Sequence, residues 1–186
     1  MSARFDIVET PIAGLVALRR RPIADGRGFL ERLYCAQDLA PVLGERRIAQ
    51  INRTLTRRAG VVRGLHFQRP PHAETKVVTC LRGAVLDVAV DLRRGSATFG
   101  VWHGRVLDET NGESLVIPEG FAHGFQTLAQ DTELLYFHTA AYAPQAEGGL
   151  DACDPALGIA WPLPVAERSE RDLGLPTIAG FEGIAP

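Results

Sequence analysis

Lysine is almost missing from this chain of 186 residues: of twenty basic residues nineteen are arginine, and Lys76 is the exception. Methionine occurs once and cysteine three times. Cys35, Cys80 and Cys153 make an odd number with no C-x-x-C pair, which excludes a disulfide framework. They are expected as reduced thiols in a cytoplasmic protein, packed as small buried or half-buried apolar residues. No apolar run approaches the ~18 residues that span a bilayer, and the opening MSARFDIVET lacks a signal-peptide core, so no membrane partner is expected. Neither sign of charge is in excess: 20 basic against 22 acidic residues leave −2, with no global attraction for nucleic acid. What is present is ordinary for a globular protein, 46% hydrophobic and 23% charged. This length predicts one domain, residues 1–186, burying about 70% of its unfolded surface.

Helical periodicity is scarce too, confined to a short stretch near Cys35–Leu43 that Gly44 ends. Strand signals dominate from residue 46 onward. AVLDVAVDL (Ala84–Leu92) alternates apolar Leu86, Val88 and Val90 with a mixed face of Val85, Asp87, Ala89 and Asp91. KVVTCLRG precedes it and ends in Gly83, so the two read as a hairpin. FGVWHGRVL, ESLVIPEG, HGFQTLA and TELLYFHTAAY follow, each bounded by Gly, Pro, Asp or Asn. Short strands at this spacing predict an all-β sandwich or barrel with a core of about residues 20–165 and irregular or helical ends. The tail carries Pro155, Pro162, Pro164, Pro176 and Pro186, and residues 166–186 read as a wrapping segment with one helical turn.

From Arg46 to Lys76 there are eight basic residues (Arg46, Arg47, Arg53, Arg57, Arg58, Arg63, Arg69, Lys76) against one acid, Glu74. Such a band suits a small anionic ligand, because guanidinium forks match phosphate oxygens; a solvated arginine-rich face is the plainer reading. With Phe67 its one aromatic residue, the band does not read as a nucleic-acid surface. Two histidine segments lie in or near it. One is RGLHFQ. The other, GESLVIPEGFAHGF, places Gly112, Pro118, Gly120 and His123 in the second motif of the cupin superfamily, Gly-x5-Pro-x-Gly-x2-His, and so predicts a cupin-like jelly roll. The first cupin motif would supply His-x-His, but here it is His66-x-Gln68. His66, His72, Glu74 and His123 could be offered as metal ligands, yet losing the His-x-His weakens that case, and no metal is expected.

Without a metal, a barrel holding His66, Lys76 and a tyrosine suits proton abstraction beside a carbonyl. Histidine supplies a base near neutrality, and a preorganised lysine or second histidine can stabilise the developing enolate oxygen. Tyr136 in ELLYFHTAAY could donate a proton on the opposite face, or be a core aromatic residue. His66 could equally be a satisfied interior histidine.

The segments DGRGFL, VVRGLHFQRPPHAETK, DVAVDLRRGSATFG, IPEGFAHGF, LLYFHTAAYAP and DPALGIAWP closely resemble, in this order, the dTDP-4-dehydrorhamnose 3,5-epimerase family of deoxysugar biosynthesis. The resemblance covers about residues 20 to 175. It implies a cofactor-free cupin-type jelly roll, a homodimer, and a nucleoside-diphosphate 4-keto-6-deoxyhexose as substrate. By position it implies His66 as base, Asp172 as its support, Lys76 as enolate stabiliser, Tyr136 as proton donor and His123 as the barrel histidine. Arg63 falls on a diphosphate-binding position. Arg27, in the same segment as Phe29, falls on one that reaches a neighbouring subunit. Gln50, Asn52, Tyr142 and Arg171 complete the implied substrate-binding set. The chain departs from the family at Ile51, Phe137, Ala152 and Cys153, all outside the proton-transfer set. Two other readings stay open: a ketoisomerase on a related nucleotide sugar, and a non-catalytic or metal-binding cupin.

Overall fold

A computed structural model describes residues 4–185; Pro186, counted with the tail, lies outside them. Thirteen strands, two α-helices and one 3-10 turn (Pro144–Ala146) follow one another along the described chain. They are β1 (Phe5–Glu9), β2 (Val16–Arg20), β3 (Ile23–Asp25), β4 (Gly28–Leu30), α1 (Ala36–Leu43), β5 (Gln50–Thr56), β6 (Val62–Gln68), β7 (Lys76–Arg82), β8 (Ala84–Asp91), β9 (Trp102–Asp108), β10 (Glu113–Ile117), β11 (Phe121–Thr127), β12 (Thr132–His138), β13 (Glu147–Gly149) and α2 (Glu170–Leu173). Eleven of the strands form two antiparallel sheets, ordered β1-β2-β10-β7-β12-β5 and β13-β6-β11-β8-β9, while β3 and β4 pair by themselves. This is the expected jelly roll, with both helices outside the sheets.

The inner faces of both sheets meet in one cluster: Ala17, Val78, Leu115 and Leu134 from the first, Val85, Ala89, Leu107, Phe121 and Phe125 from the second. Each sheet is also covered outside. On the first, Leu39 and Leu43 of α1 pack against Leu18, Val77, Val116 and Phe137. They stand four apart on one helix face, and full burial stabilises by about 1.5–3 kcal/mol each. The Gly44 N–H then closes the helix on the Ala40 carbonyl at 2.8 Å, as the glycine stop predicted. On the second sheet, the C-terminal tail lays Leu157, Ile184, Trp161 and Phe181 over Phe67, Val88 and Val90. This covering begins at Leu157, ahead of residue 166, and the one helical turn of the tail is α2.

Several expectations need correcting. β1 and β2 lie ahead of residue 20, where the core was to begin, because Val16, Ala17 and Leu18 are buried against β10. β7 and β8 do not pair as a hairpin. They belong to different sheets, and the chain turns a corner between them at Gly83. The mixed face of β8 points into the barrel, so Asp87 and Asp91 are fully buried. Cys35 is half-buried and Cys80 buried as expected, but Cys153 is exposed on the tail. Finally, the basic band is dispersed: Arg46, Arg53, Arg57 and Arg58 pair with Glu119, Glu133, Asp131 and Glu167. Exposed pairs of this kind contribute ~0–1 kcal/mol and leave little net charge to attract a ligand.

Gly83 has φ +74°, and a Cβ there would stand 2.5 Å from Thr132 Oγ1 and 3.1 Å from its Cα. Gly83→Ala is expected to destabilise the fold by about 1–3 kcal/mol, read as a lowered midpoint of urea unfolding at unchanged slope.

Candidate active site

The site is built from the inner face of β6 outward. β6 is flanked by β11 and β13, and its His66 stands opposite His123 on one side and Gly149 on the other. Behind it lies α2. Ser169 caps this turn by accepting from the Asp172 N–H at 3.0 Å, and Arg168 holds the Asp172 carbonyl at 2.7 Å. So fixed, the buried Asp172 carboxylate takes the Gly64 N–H at 3.2 Å with one oxygen and His66 Nε2 at 2.7 Å with the other. A carboxylate at Nε2 requires the hydrogen there, which leaves Nδ1 with the lone pair. Burial lowers the His66 pKa below the ordinary histidine value. Asp172 partly opposes this, while Arg171 and Lys76 add to it. The imidazole is thus neutral at physiological pH and free to accept a proton.

A cavity of about 500 Å³ opens in front of His66, lined also by Gln50, Asn52, Gln68, Glu74, Lys76, His138, Tyr142 and Glu147. Lys76 Nζ lies 3.2 Å from Glu74 Oε1, and His138 Nδ1 2.8 Å from Glu74 Oε2. Burial works against the Glu74 charge, but its bonds to His138 and Lys76 outweigh that and hold its pKa below the usual glutamate value. At the mouth, the half-exposed Tyr142 donates its hydroxyl to Glu147 at 2.7 Å and its N–H to Gln50 at 3.0 Å. Glu147 also pairs with Arg171 at 2.5 Å. An adjoining groove, lined by Arg63, Arg171 and Asp172, shares His66 with this cavity. Arg63 is exposed there and makes no ion pair among the described residues.

Two implied residues lie deeper. His123 Nε2 donates to the fully buried Asp87 carboxylate at 2.7 Å, and Tyr136 packs edge-on to the His123 ring with centres 6.0 Å apart. Neither lines the cavity. Burial, with the nearby Asp87 charge, pushes the Tyr136 pKa well above the usual phenol value. Two others lie apart: Arg27 and the exposed Phe29 sit on the β3–β4 hairpin, where Arg27 pairs with Asp25 at 2.6 Å. This chain alone does not bring them to His66. The four residues offered as metal ligands form no metal-binding group among the described residues, and His66, His123 and Glu74 each bind a different partner. A larger cavity of about 700 Å³ lies among loops elsewhere, but no histidine lines it. Its Arg46, Arg93 and Arg94 are each met by an acid.

Residues 9–180 match the sequence profile of dTDP-4-dehydrorhamnose 3,5-epimerases. The chain belongs to that family. It is 41% identical over 168 residues to the dTDP-4-dehydrorhamnose 3,5-epimerase of Sinorhizobium fredii, covering 90% of this chain and 86% of the relative. It is 40% identical over 162 residues to a dTDP-4-dehydrorhamnose 3-epimerase of Streptomyces niveus, covering 87% and 78%. Among solved structures, it superimposes on the dTDP-6-deoxy-D-glucose-3,5-epimerase of Legionella pneumophila in complex with dTDP-4-keto-L-rhamnose. There the TM-score is 0.89 at 36% identity, covering 95% of this chain and 94% of that one.

Four polar residues of the site escaped sequence reasoning as functional candidates: Asp87, His138 and Glu147, with Glu74 weighed only as a metal ligand. Asp87 was visible as an acid on the mixed face of a strand pattern, and Glu74 as the one acid in a basic band. His138 stands two residues after Tyr136 and so shares its face of β12. Glu147 left no local signal. The departures from the family fall away from the cavity: Ile51 faces solvent on β5, and Phe137 stacks on Tyr34 under α1 at 5.7 Å.

In an NMR titration of the ring protons, His66 is expected to titrate below the ordinary value of about 6.5. Asp172→Asn should lower it further, because the carboxylate is what favours the charged ring. A His66 that titrates above 6.5 contradicts this account.

Proposed function

We propose that this chain is an epimerase that inverts C3, C5 or both in a nucleoside-diphosphate 4-keto-6-deoxyhexose, in deoxysugar biosynthesis. The observation that carries the reading is the neutral His66, oriented by Asp172, lining one cavity with the single lysine in a chain of this family. His66 Nδ1 takes the proton from a carbon beside the C4 ketone. The C–H pair moves into the ring to form an enolate, and the Lys76 ammonium meets the oxygen charge. Tyr136 returns a proton to the opposite face, the enolate collapses to the ketone, and the carbon is inverted. No cofactor takes part, because the keto group already acidifies both neighbouring carbons.

Arg63 and Arg171, at the adjoining groove, meet the diphosphate, with planar forks that match its oxygens. Tyr142 stacks near the base, while Gln50 and Asn52 bind sugar hydroxyls and His123 supports Tyr136. Arg27 and Phe29 complete the site of a second subunit in a homodimer. Their exposure on a projecting hairpin, beside apolar Leu30, supports that reading. Cytoplasmic residence belongs to the same proposal, supported by the odd cysteine count.

Incubation with a dTDP-4-keto-6-deoxyhexose in D₂O tests the function. Deuterium should enter at C3 or C5 while the ketone stays at C4; a carbonyl that moves along the ring would indicate a ketoisomerase. His66→Ala should abolish deuterium entry, and Asp172→Asn should slow it by about 10²-fold or more with little change in nucleotide binding. Prior treatment with a chelator should leave the rate unchanged, and sedimentation should give twice the chain mass.

A further inference from the structure

Inversion needs an acid on the face of the sugar opposite the base, and a double epimerase needs one at each carbon. Tyr136 is a single residue, buried behind the cavity wall. His138 is different. It lines the cavity itself from β12, in the sheet opposite the one that carries His66. Its surroundings repeat those of His66 in mirror order. Nδ1 meets the buried Glu74 carboxylate at 2.8 Å, as Nε2 of His66 meets Asp172 at 2.7 Å. With the hydrogen held at Nδ1, Nε2 is left toward the cavity, where the Asn52 amide nitrogen approaches at 3.4 Å. The ring lies nearly parallel to that of Tyr136, centres 5.9 Å apart, which restricts its rotation. Glu74 in turn is tied to Lys76, so the dyad and the enolate-stabilising charge share one carboxylate.

We propose that His138, oriented by Glu74, is a second acid–base dyad that protonates one of the two carbons beside the ketone from the face opposite His66. This rests on the epimerase reading and deepens it. The imidazolium gives its Nε2 proton to the enolate carbon. The enolate π pair forms the new C–H bond, the oxygen lone pair restores the C4 carbonyl, and the N–H pair stays on the ring. His66 releases the abstracted proton to solvent and solvent returns one to His138 Nε2, which balances the protons and completes the cycle without another reactant. Tyr136 serves the other carbon.

The test follows C3 and C5 separately by NMR in D₂O with a dTDP-4-keto-6-deoxyhexose. His138→Asn keeps a side-chain donor for Glu74 but loses Nε2. It should slow inversion at one carbon by about 10²-fold or more in kcat, with a near-normal KM, while deuterium still exchanges through His66. Glu74→Gln should weaken the same inversion, and added imidazole should partly restore it in His138→Gly. Three results overturn the proposal: unchanged inversion at both carbons in His138→Asn, joint loss of inversion and exchange, or loss at the carbon that Tyr136→Phe also affects, with no further loss in the double variant. The last would make Tyr136 the donor and His138 its support. Wild-type exchange decides the epimerase reading by itself, so failure of the dyad shows as intact inversion in a working enzyme.

Discussion

A carboxylate inside a barrel costs several kcal/mol in lost hydration unless a partner meets it, and the inner face of this one is arranged around that cost. Three buried acids each face a histidine: Asp172 meets His66, Glu74 meets His138, and Asp87 meets His123. In every case the partners come from different elements. The pairs therefore tie α2 to β6, the loop before β7 to β12, and β8 to β11. Removing one member would leave the other charge or lone pair buried and unpaired, the expensive state.

This arrangement joins stability to chemistry. A histidine whose one nitrogen is held by a carboxylate has a defined tautomer and a defined lone pair. His66 combines that geometry with enough burial to stay neutral, and enough exposure to meet a ligand. His123 has the geometry without the exposure. Depth thus separates a histidine open to the cavity from one closed off behind it. The rings of His138, Tyr136 and His123 lie in succession from the cavity toward the core, with centres about 6 Å apart. The polar site therefore passes directly into the apolar cluster, of which Tyr136 is a member.

Much of the fold was legible because its signals are local. A period-two pattern marked β8, bounding Gly, Pro, Asp and Asn residues marked β9 to β12, Gly44 marked the end of α1, and the turn motif around Pro118 and Gly120 announced β11. The failures share a cause. A strand pattern states which residues share a face, not which strand lies beside it, so the corner at Gly83 read as a hairpin. Likewise alternation separated the two faces of β8 without saying which points into the barrel, because it cannot tell a polar interior from a solvated surface. Arginines clustered in sequence read as a patch, although acids far along the chain neutralise four of them.

The sequence alone determined the all-β class, the family and the residue types available for proton transfer, since these follow from composition, spacing and motif order. It also marked Lys76 as exceptional. Only the tertiary structure decided which groups act together. Asp172 lies 106 positions after His66, Glu74 64 before His138, and Asp87 36 before His123. No periodicity reaches across such separations. Strand order and the path of the tail bring these groups within hydrogen-bond distance, and the exclusion of water holds each pair together.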